Sequence, residues 1–255
     1  AVIYYAVVET ETHWYITYAD FHPRDWDDSC AGWVPGWLYE PCHENDMEGA
    51  MVMVKKTDEL FGEFVLLITE AHNTLHVFRN DPLITEASNP HLEDVGVTFE
   101  DGSHPELYVE AKGHGVCALT FDGEDHCKHP TEGNPPPFPG GDGIVYRYKG
   151  IAEVPSGGND MDVGYALVSL EDTLWKQRND ICEGSCTFDG TLVYDGTPVG
   201  QAFDGDSYGE DKARPPWSWD DPDDGPVYEG DFFFRPAKTV KTHVNLPGPV
   251  SQIYV

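Results

Sequence analysis

The chain has 255 residues, of which 46 are Asp or Glu and 15 are Lys or Arg, and its formal net charge is −31. A surface of this sign repels phosphate groups, which excludes a nucleic-acid-binding protein and opposes docking on anionic lipid unless metal ions bridge the charges. Halophilic solvation and metal binding both account for such an excess of acid. The 26 Gly and 20 Pro residues predict many turns and few long helices.

The residue pattern predicts a series of short strands. Apolar stretches indicate strands over 2–8, 14–18, 46–54, 64–69, 106–111, 144–148 and 239–244. Pro and Asp residues in 20–28 are expected to break the chain after the second strand. Leu167, Leu170 and Leu174 at helical spacing predict a helix over 163–178. No repeat or linker divides the chain. We therefore expect one domain, 1–255: an all-β single β-sandwich of two packed, mainly antiparallel sheets with long disulfide-closed loops and one short helix.

The six cysteines lie as neighbours in sequence, and local pairing is the simplest arrangement, although other pairings are open. No C-x-x-C knuckle is present, which argues against a zinc finger. Disulfides predict an oxidising compartment. The chain begins without Met or a basic segment, and no apolar run reaches the roughly 20 residues that span a bilayer. We expect a mature secreted protein without a transmembrane segment, with the bonds Cys30–Cys42, Cys117–Cys127 and Cys182–Cys186.

The stretch 42–54 carries the main candidate site. In an extended chain Asp46 and Glu48 point to the same face, in the row that Ala50, Val52 and Val54 continue, while Met51 and Met53 make the other face apolar. The strand should therefore be buried. The two carboxylates at the start of this buried strand would repel each other and lose hydration, so they need protonation, a basic partner or a cation. The alternative is a solvated strand end. Hard divalent cations accept carboxylate oxygens and tolerate imidazole, which favours calcium, or else magnesium or manganese, over copper or structural zinc. The candidate ligands are Asp25, His43, Asp46 and Glu48.

Two weaker candidates remain. Asp204-Gly205-Asp206 is similar to a fragment of a calcium loop, but the full register is missing, so a solvated acidic loop is the favoured interpretation. Scattered histidines, of which His72 and His114 are the candidates, could gather at one sheet edge as a base or ligand; ordinary hydrogen bonds are the alternative. The acidic loop comprises Asp204, Asp206, Asp220, Asp221, Asp223 and Asp224.

The stretch H-E-N-D-M-E-G at 43–49 resembles the G-H-R-H-D-W-E-G region of the necrosis-inducing-protein-like cytolysins. It is also similar to the H-x-x-D-x-E strand of the fungal vacuolar protein sorting family 62. Further matches in the same order lie at 14–25, 66–72, 104–114 and 215–221, the last reading P-P-W-S-W-D-D. The similarity is patchy but covers most of the chain, and it is closer to the vacuolar-sorting type.

The resemblance implies a single β-sandwich with a divalent cation at one edge, and the four candidate ligands match the cytolysins' metal-binding positions. In those proteins the metal cavity receives a sphingolipid sugar head group before membrane damage. This chain departs from the motif, because Cys42, Asn45 and Met47 replace its Gly, second His and Trp, and 30–42 is an insertion. The resemblance therefore supports a metal-binding site in this chain more strongly than it supports cytolytic activity.

Three functions follow as hypotheses. The first is a secreted protein that works by binding a glycan, a lipid head group or copies of itself as an extracellular structural protein. The second is a metal-dependent hydrolase in which cation-bound water attacks an ester or glycan, with His72 or His114 as the base. The third is a cytolysin-like, membrane-damaging protein. Binding is favoured over catalysis because the sequence contains no recognisable nucleophile–base pair.

Overall fold

A computed structural model describes residues 1–24, 44–71, 74–87, 92–110, 113–127, 143–177, 193–194, 197–198, 216–219 and 231–255. The first strands are β1 (Val2–Glu9), β2 (His13–Arg24), β3 (Glu44–Lys55), β4 (Glu63–Ala71), β5 (Thr74–Arg79), β6 (Thr85–Glu86), β7 (Phe99–Glu100) and β8 (His104–Pro105). The later ones are β9 (Leu107–Val109), β10 (Val116–Ala118), β11 (Tyr146–Tyr148), β12 (Val163–Ser169), β13 (Val193–Tyr194), β14 (Thr197–Pro198) and β15 (Val244–Asn245). Two α-helices, α1 (Asp231–Phe234) and α2 (Pro236–His243), and two 3₁₀ helices, Leu174–Gln177 and Pro216–Ser218, complete these elements.

A seven-stranded sheet in the order β11-β12-β1-β2-β3-β4-β5 forms the centre of the molecule. Strands β1 to β5 follow one another as an antiparallel meander. Strands β12 and β11 then add to the outer edge of β1 in parallel orientation. Short connections join β1 to β2, β3 to β4 and β4 to β5, whereas residues 25–43 separate β2 from β3. The parallel pairing of β12 with β1 also requires a long connection.

Strand β3 is buried on both faces, as its sequence predicts. Met47, Met51 and Met53 face one apolar cluster and Ala50 and Val52 face another. The first cluster is covered by the helical segments, and we call this side of the sheet the helix face. The second cluster is covered by the hairpin β9–β10 and neighbouring loops, and we call this side the hairpin face.

The all-β class is confirmed, and so are the strands that begin the chain. The layer over the hairpin face consists of short two-stranded pairs, β9–β10 and β7–β8, rather than a second large sheet. Among the described helices, none is long and apolar enough to cross a membrane.

The helix predicted over 163–178 is wrong. Residues Val163–Ser169 form strand β12, which pairs with β1, and only Leu174–Gln177 turns into a 3₁₀ helix. Leu170 and Leu174 are buried in the helix-face cluster, so their spacing arises where the strand ends and the short helix begins.

The final strand predicted over 239–244 is also wrong, because most of it is helix α2. Pro236 lies in the first helical turn, where its missing N–H costs nothing, and Ala237 and Val240 pack into the helix-face cluster. Tertiary burial of this apolar stripe outweighs the strand preference of Thr239 and Val240.

Candidate functional site

The register of β2 on β3 builds a polar array at one end of this pair. Asp20 lies opposite Glu48, and His22 lies opposite Asp46. Directly opposed residues of an antiparallel pair share a face, and here it is the hairpin face, since the row continues into Ala50. Glu48 is only 8% exposed, and the side chain of Asp20 is 13% exposed. These carboxylates are therefore largely withdrawn from water.

Asp20 and His22 are functional candidates that the sequence reasoning missed. It expected the strand to break near Pro23, whereas β2 continues to Arg24. Strand β1 pairs with β2 only as far as Ala19, so among the described residues β2 forms an edge of the sheet beyond this point. Proline is tolerated on such an edge because no partner needs its missing N–H. The polar–apolar–polar alternation of 20–22 was the signal that could have extended the strand.

His22 is held by two neighbours. Its Nε2 lies 2.8 Å from the Asp20 carboxylate oxygen Oδ2, within hydrogen-bonding distance. Its ring also stacks on the ring of His114, with centroids 3.7 Å apart and an angle of 3° between the planes. Two charged rings in this arrangement would repel each other, so the stack favours a neutral partner for a protonated ring. The stack therefore opposes simultaneous protonation of both rings.

His114 reaches this position through an unusual backbone conformation. Its φ is 58°, in the left-handed region, and it lies between Gly113 and Gly115 in the turn from β9 to β10. The N–H of Glu110 donates to the carbonyl oxygen of Gly115 across 2.9 Å and closes this turn. A non-glycine residue in this region is uncommon, although His is among the residues enriched there. The hairpin therefore carries an imidazole to the end of β2 at some conformational cost.

The disulfide Cys117–Cys127 anchors the same hairpin and confirms one predicted bond, with a Cα–Cα distance of 5.9 Å. Close by, the hydroxyl of Tyr108 donates a hydrogen bond to Asp125. Burial, and secondly this hydrogen bond, raise the pKa of Tyr108 far above its usual value. Tyr108 therefore stays protonated and acts as a donor, not as a base.

Several predicted site residues lie outside the described part of the chain. These are Asp25, His43 and His72, the cysteines Cys30, Cys42, Cys182 and Cys186, and the acidic loop Asp204, Asp206, Asp220, Asp221, Asp223 and Asp224. Only the backbone of Asp46 is described. Among the described side chains, no group of three or more His, Cys, Asp or Glu residues is arranged to hold a metal ion. The four-residue cation site therefore stays a prediction.

Comparisons with known proteins give little further guidance. No family model and no curated protein matches the chain. Two solved structures are similar over 34% of this chain: one described as the crystal structure of non-toxic HaNLP3 protein, at 18% identity and a TM-score of 0.25, and one described as a toxin fold for microbial attack and plant defense, at 18% identity and a TM-score of 0.24. The matched part spans 40% of each of those chains. At these TM-scores the likeness carries no argument about this protein, so its function has to be inferred from its own residues.

Proposed function

We propose that this protein is an extracellular binding protein that holds a divalent cation, calcium in the first instance, at the end of the β2–β3 pair. The observation that supports this most is the register that sets Asp20 and His22 against Glu48 and Asp46. The Cys117–Cys127 disulfide supports the extracellular assignment, because such bonds persist in oxidising compartments.

The charge distribution of this array favours a cation. The backbone register sets Asp20 and Glu48 opposite each other and Asp46 opposite His22 at one strand end, and Asp25 and His43 adjoin it in sequence. Mutual repulsion and lost hydration disfavour such a cluster unless positive charge is supplied. Calcium accepts six to eight oxygen ligands in a flexible geometry, so backbone carbonyls or water would complete its shell. His22 and His43 would orient the carboxylates by hydrogen bonds rather than replace them.

Within this proposal a bound cation would supply positive charge for a ligand with vicinal hydroxyls or a charged head group. A glycan and a lipid head group share this chemistry, and self-association through an acidic side chain of a second copy uses it as well. Ligand binding would then disappear when the cation is removed. Loss of ligand binding in chelator would therefore distinguish binding through the cation from binding to the protein surface alone.

A metal-dependent hydrolase is the second candidate, and one observation favours it. His114 contacts His22 beside the carboxylate of Asp20, so an imidazole is available next to the proposed cation. In such a site the imidazole would take a proton from water polarised by the cation, and the resulting hydroxide would attack the carbon of an ester or glycosidic bond. Membrane damage of the cytolysin type is the third candidate, and a vesicle-leakage assay with and without calcium tests it directly.

The central experiment compares thermal unfolding in calcium and in chelator. A cation that binds only the folded state stabilises it by about 2.7 kcal/mol at a hundredfold excess over its dissociation constant. We expect chelator to lower the melting temperature of the native protein, and Asp46→Asn and Glu48→Gln to abolish this difference. Asp58→Asn, which neutralises an exposed acid at the far end of β3, is the matched control and should keep it.

The newly identified residues provide a second arm. Asp20→Asn should weaken calcium binding in a titration by about 10- to 100-fold, the loss typical of groups that ligate or orient a metal. Identical unfolding curves for the native protein in calcium and chelator, together with no metal in elemental analysis, would show that the proposal is wrong.

A further inference from the structure

The end of the sheet opposite the candidate cation site gathers several turns. Lys55, the last residue of β3, pairs with His13 at the start of β2, so the β3–β4 turn lies beside the β1–β2 turn. The C-terminal residues join them, because the N–H of Glu11 donates to the carbonyl of Ile253 across 3.1 Å. Strand β5 also ends here, since Arg79 pairs with Leu66 near the start of β4.

Large apolar side chains project into solvent from the β3–β4 turn, from the turn after β5 and from the C-terminal residues. Leu60 and Phe61 are adjacent at the tip of the β3–β4 turn and are 83% and 80% exposed. Single exposed apolar residues are ordinary, but several of them on one end of a molecule mark an interaction surface. We call this surface the apolar end; its members and exposed fractions are Leu60 (83%), Phe61 (80%), Leu83 (68%), Phe121 (69%), Ile253 (61%) and Val255 (73%).

The tip of the β3–β4 turn has a fixed shape. The N–H of Gly62 donates to the carbonyl of Glu59, and the N–H of Glu59 donates to the hydroxyl of Thr57, each across 3.1 Å. Gly62 has a φ of +69°, and a Cβ there would lie 2.5 Å from the carbonyl oxygen of Lys55. Only glycine fits this position. Leu60 and Phe61 are thus held outward, and the turn satisfies these two backbone N–H groups itself, which suits entry into an apolar medium.

Amphipathic side chains lie just behind the tip. The ammonium of Lys56 pairs with Glu9 and lies 5.4 Å from the centroid of the Trp14 ring. Tyr254 is 38% exposed beside the β1–β2 turn. Proteins that contact the boundary of a bilayer place apolar residues outermost and Trp, Tyr and Lys behind them. Trp, Tyr and Lys suit this position because their side chains combine an apolar body with a polar end.

We propose that the apolar end docks on an electrically neutral lipid bilayer, with Leu60 and Phe61 inserted at the head-group boundary. Charge argues against two alternative occupants. Asp58 and Glu59 lie in the inserting turn and the whole chain carries −31, so an anionic membrane is repelled. Two copies of the chain repel each other for the same reason, which disfavours a dimer through this end. The proposal goes beyond the cation site and does not depend on it, since the two lie at opposite ends of the sheet.

The test is flotation of the protein with phosphatidylcholine vesicles in the presence of chelator, so that a failure of the cation site cannot affect it. Anchoring by a few side chains is weak, and we expect half of the protein to bind at a lipid concentration on the order of 0.1–1 mM. The double variant Leu60→Ser/Phe61→Ser should reduce the partition coefficient by about tenfold or more, because binding scales with the apolar area inserted.

Val154→Ser is the matched control. Val154 is 89% exposed, and it lies at the other end of the sheet, where the backbone of Glu153 contacts Gly164 and the amino group of Ala1. This variant should bind as the native protein does. A Phe61→Trp variant adds a direct measurement, because its fluorescence should be quenched by lipids brominated in the acyl chains, whereas that of Val154→Trp should not.

Several results would overturn the proposal. These are no binding of the native protein at 5–10 times the lipid concentration given above, on the order of several mM; equal loss of binding in the Val154→Ser control; or stronger binding to anionic than to neutral vesicles. A concentration-dependent dimer in sedimentation that the double variant abolishes would identify a second copy of the chain as the occupant and would also overturn it.

Discussion

The indole N–H of Trp219 donates a hydrogen bond to the backbone carbonyl of Met47 across 3.2 Å, although 172 residues separate them. The same ring lies over Gly49, where a Cβ would come within 2.8 Å of Cη2 of Trp219. Trp219 is thus packed on β3, the strand that carries the candidate site, and this packing requires glycine at position 49.

Gly49→Ala should therefore destabilise the protein. Besides the ring of Trp219, the new methyl group would meet the carbonyl oxygen of Tyr18 at 2.0 Å and Cα of Ala19 at 2.9 Å, and neither backbone atom can move without distorting β2. Overpacking of this kind costs typically 1–3 kcal/mol, and we expect about 3 kcal/mol in urea unfolding.

The control for this change is Gly157→Ala. An added Cβ at Gly157 meets no atom within 4 Å, and its φ is not in the left-handed region. This variant should match the native protein or gain up to about 1 kcal/mol. Equal stability of the two alanine variants would contradict the packing described here.

Removal of the described disulfide should cost stability. The bond between Cys117 and Cys127 closes a loop with a sequence separation of 10 and ties the β9–β10 hairpin to the residues that follow it. In the chain-entropy model a loop of this size stabilises by about 2–3 kcal/mol, and we expect the double Cys→Ala variant to lose this amount in chemical unfolding. Non-reducing peptide mapping should also find Cys30–Cys42 and Cys182–Cys186; free thiols or exchanged partners at these positions would refute the local pairing.

Acid should destabilise the protein through His13. Burial, together with the charges of Lys55 and Lys56, lowers the pKa of His13 from 6.5 to about 4. Between these values the unfolded chain binds a proton and the folded chain does not, so stability is complete above about pH 6.5 and falls as the pH drops towards 4. His13→Gln should remove on the order of 1–2 kcal/mol of the stability difference between pH 7.5 and pH 5.

The control for the pH experiment is His104→Gln, because His104 is exposed. It should keep the pH dependence of the native protein. The measurement is the free energy of unfolding at several pH values. If its dependence on pH is unchanged in His13→Gln, the loss of stability in acid does not arise from His13.

Neutralising the acidic loop should have little effect. If residues 204–224 form only a solvated acidic loop, the double variant Asp223→Asn/Asp224→Asn should have little effect on stability. Its free energy of unfolding in calcium should lie within about 0.5 kcal/mol of that of the native protein, as is usual for surface substitutions. A loss of calcium-dependent stabilisation in this variant would instead reveal a second cation site.

Strands β1 to β4 of the meander could be predicted because each carries its own pattern, whereas no strand was predicted over β5. Strand β3 is apolar on both faces and is buried on both, and β4 follows the same rule. The position of Glu48 at the mouth of a buried strand was likewise visible from alternation alone. These features are local, so a single sequence contains them.

The misjudged features depend on partners far away in the chain. Strand β12 is a strand because residues 2–5 lie beside it, and nothing in its own leucine spacing indicates this. Pro23 is tolerated because, among the described residues, β1 pairs with β2 only as far as Ala19, so β2 continues through Asp20 and His22. His114 reaches His22 only through the fold of the β9–β10 hairpin. Contacts of this kind cannot be read from the spacing of residues in one sequence.

The parallel pairing of β1 with β12 bears on how the protein is made. When synthesis has passed residue 79, β1 to β5 are all available to assemble through contacts between neighbours in the chain, which form quickly. Strand β1 then exposes an unpaired row of N–H and C=O groups until β12 emerges, more than 80 residues later at about 5–20 residues per second. For several seconds the nascent chain offers a template to any other extended segment. Neighbouring ribosomes on one message bring such unpaired edges close together, and a stop codon before β12 leaves the edge of β1 open permanently.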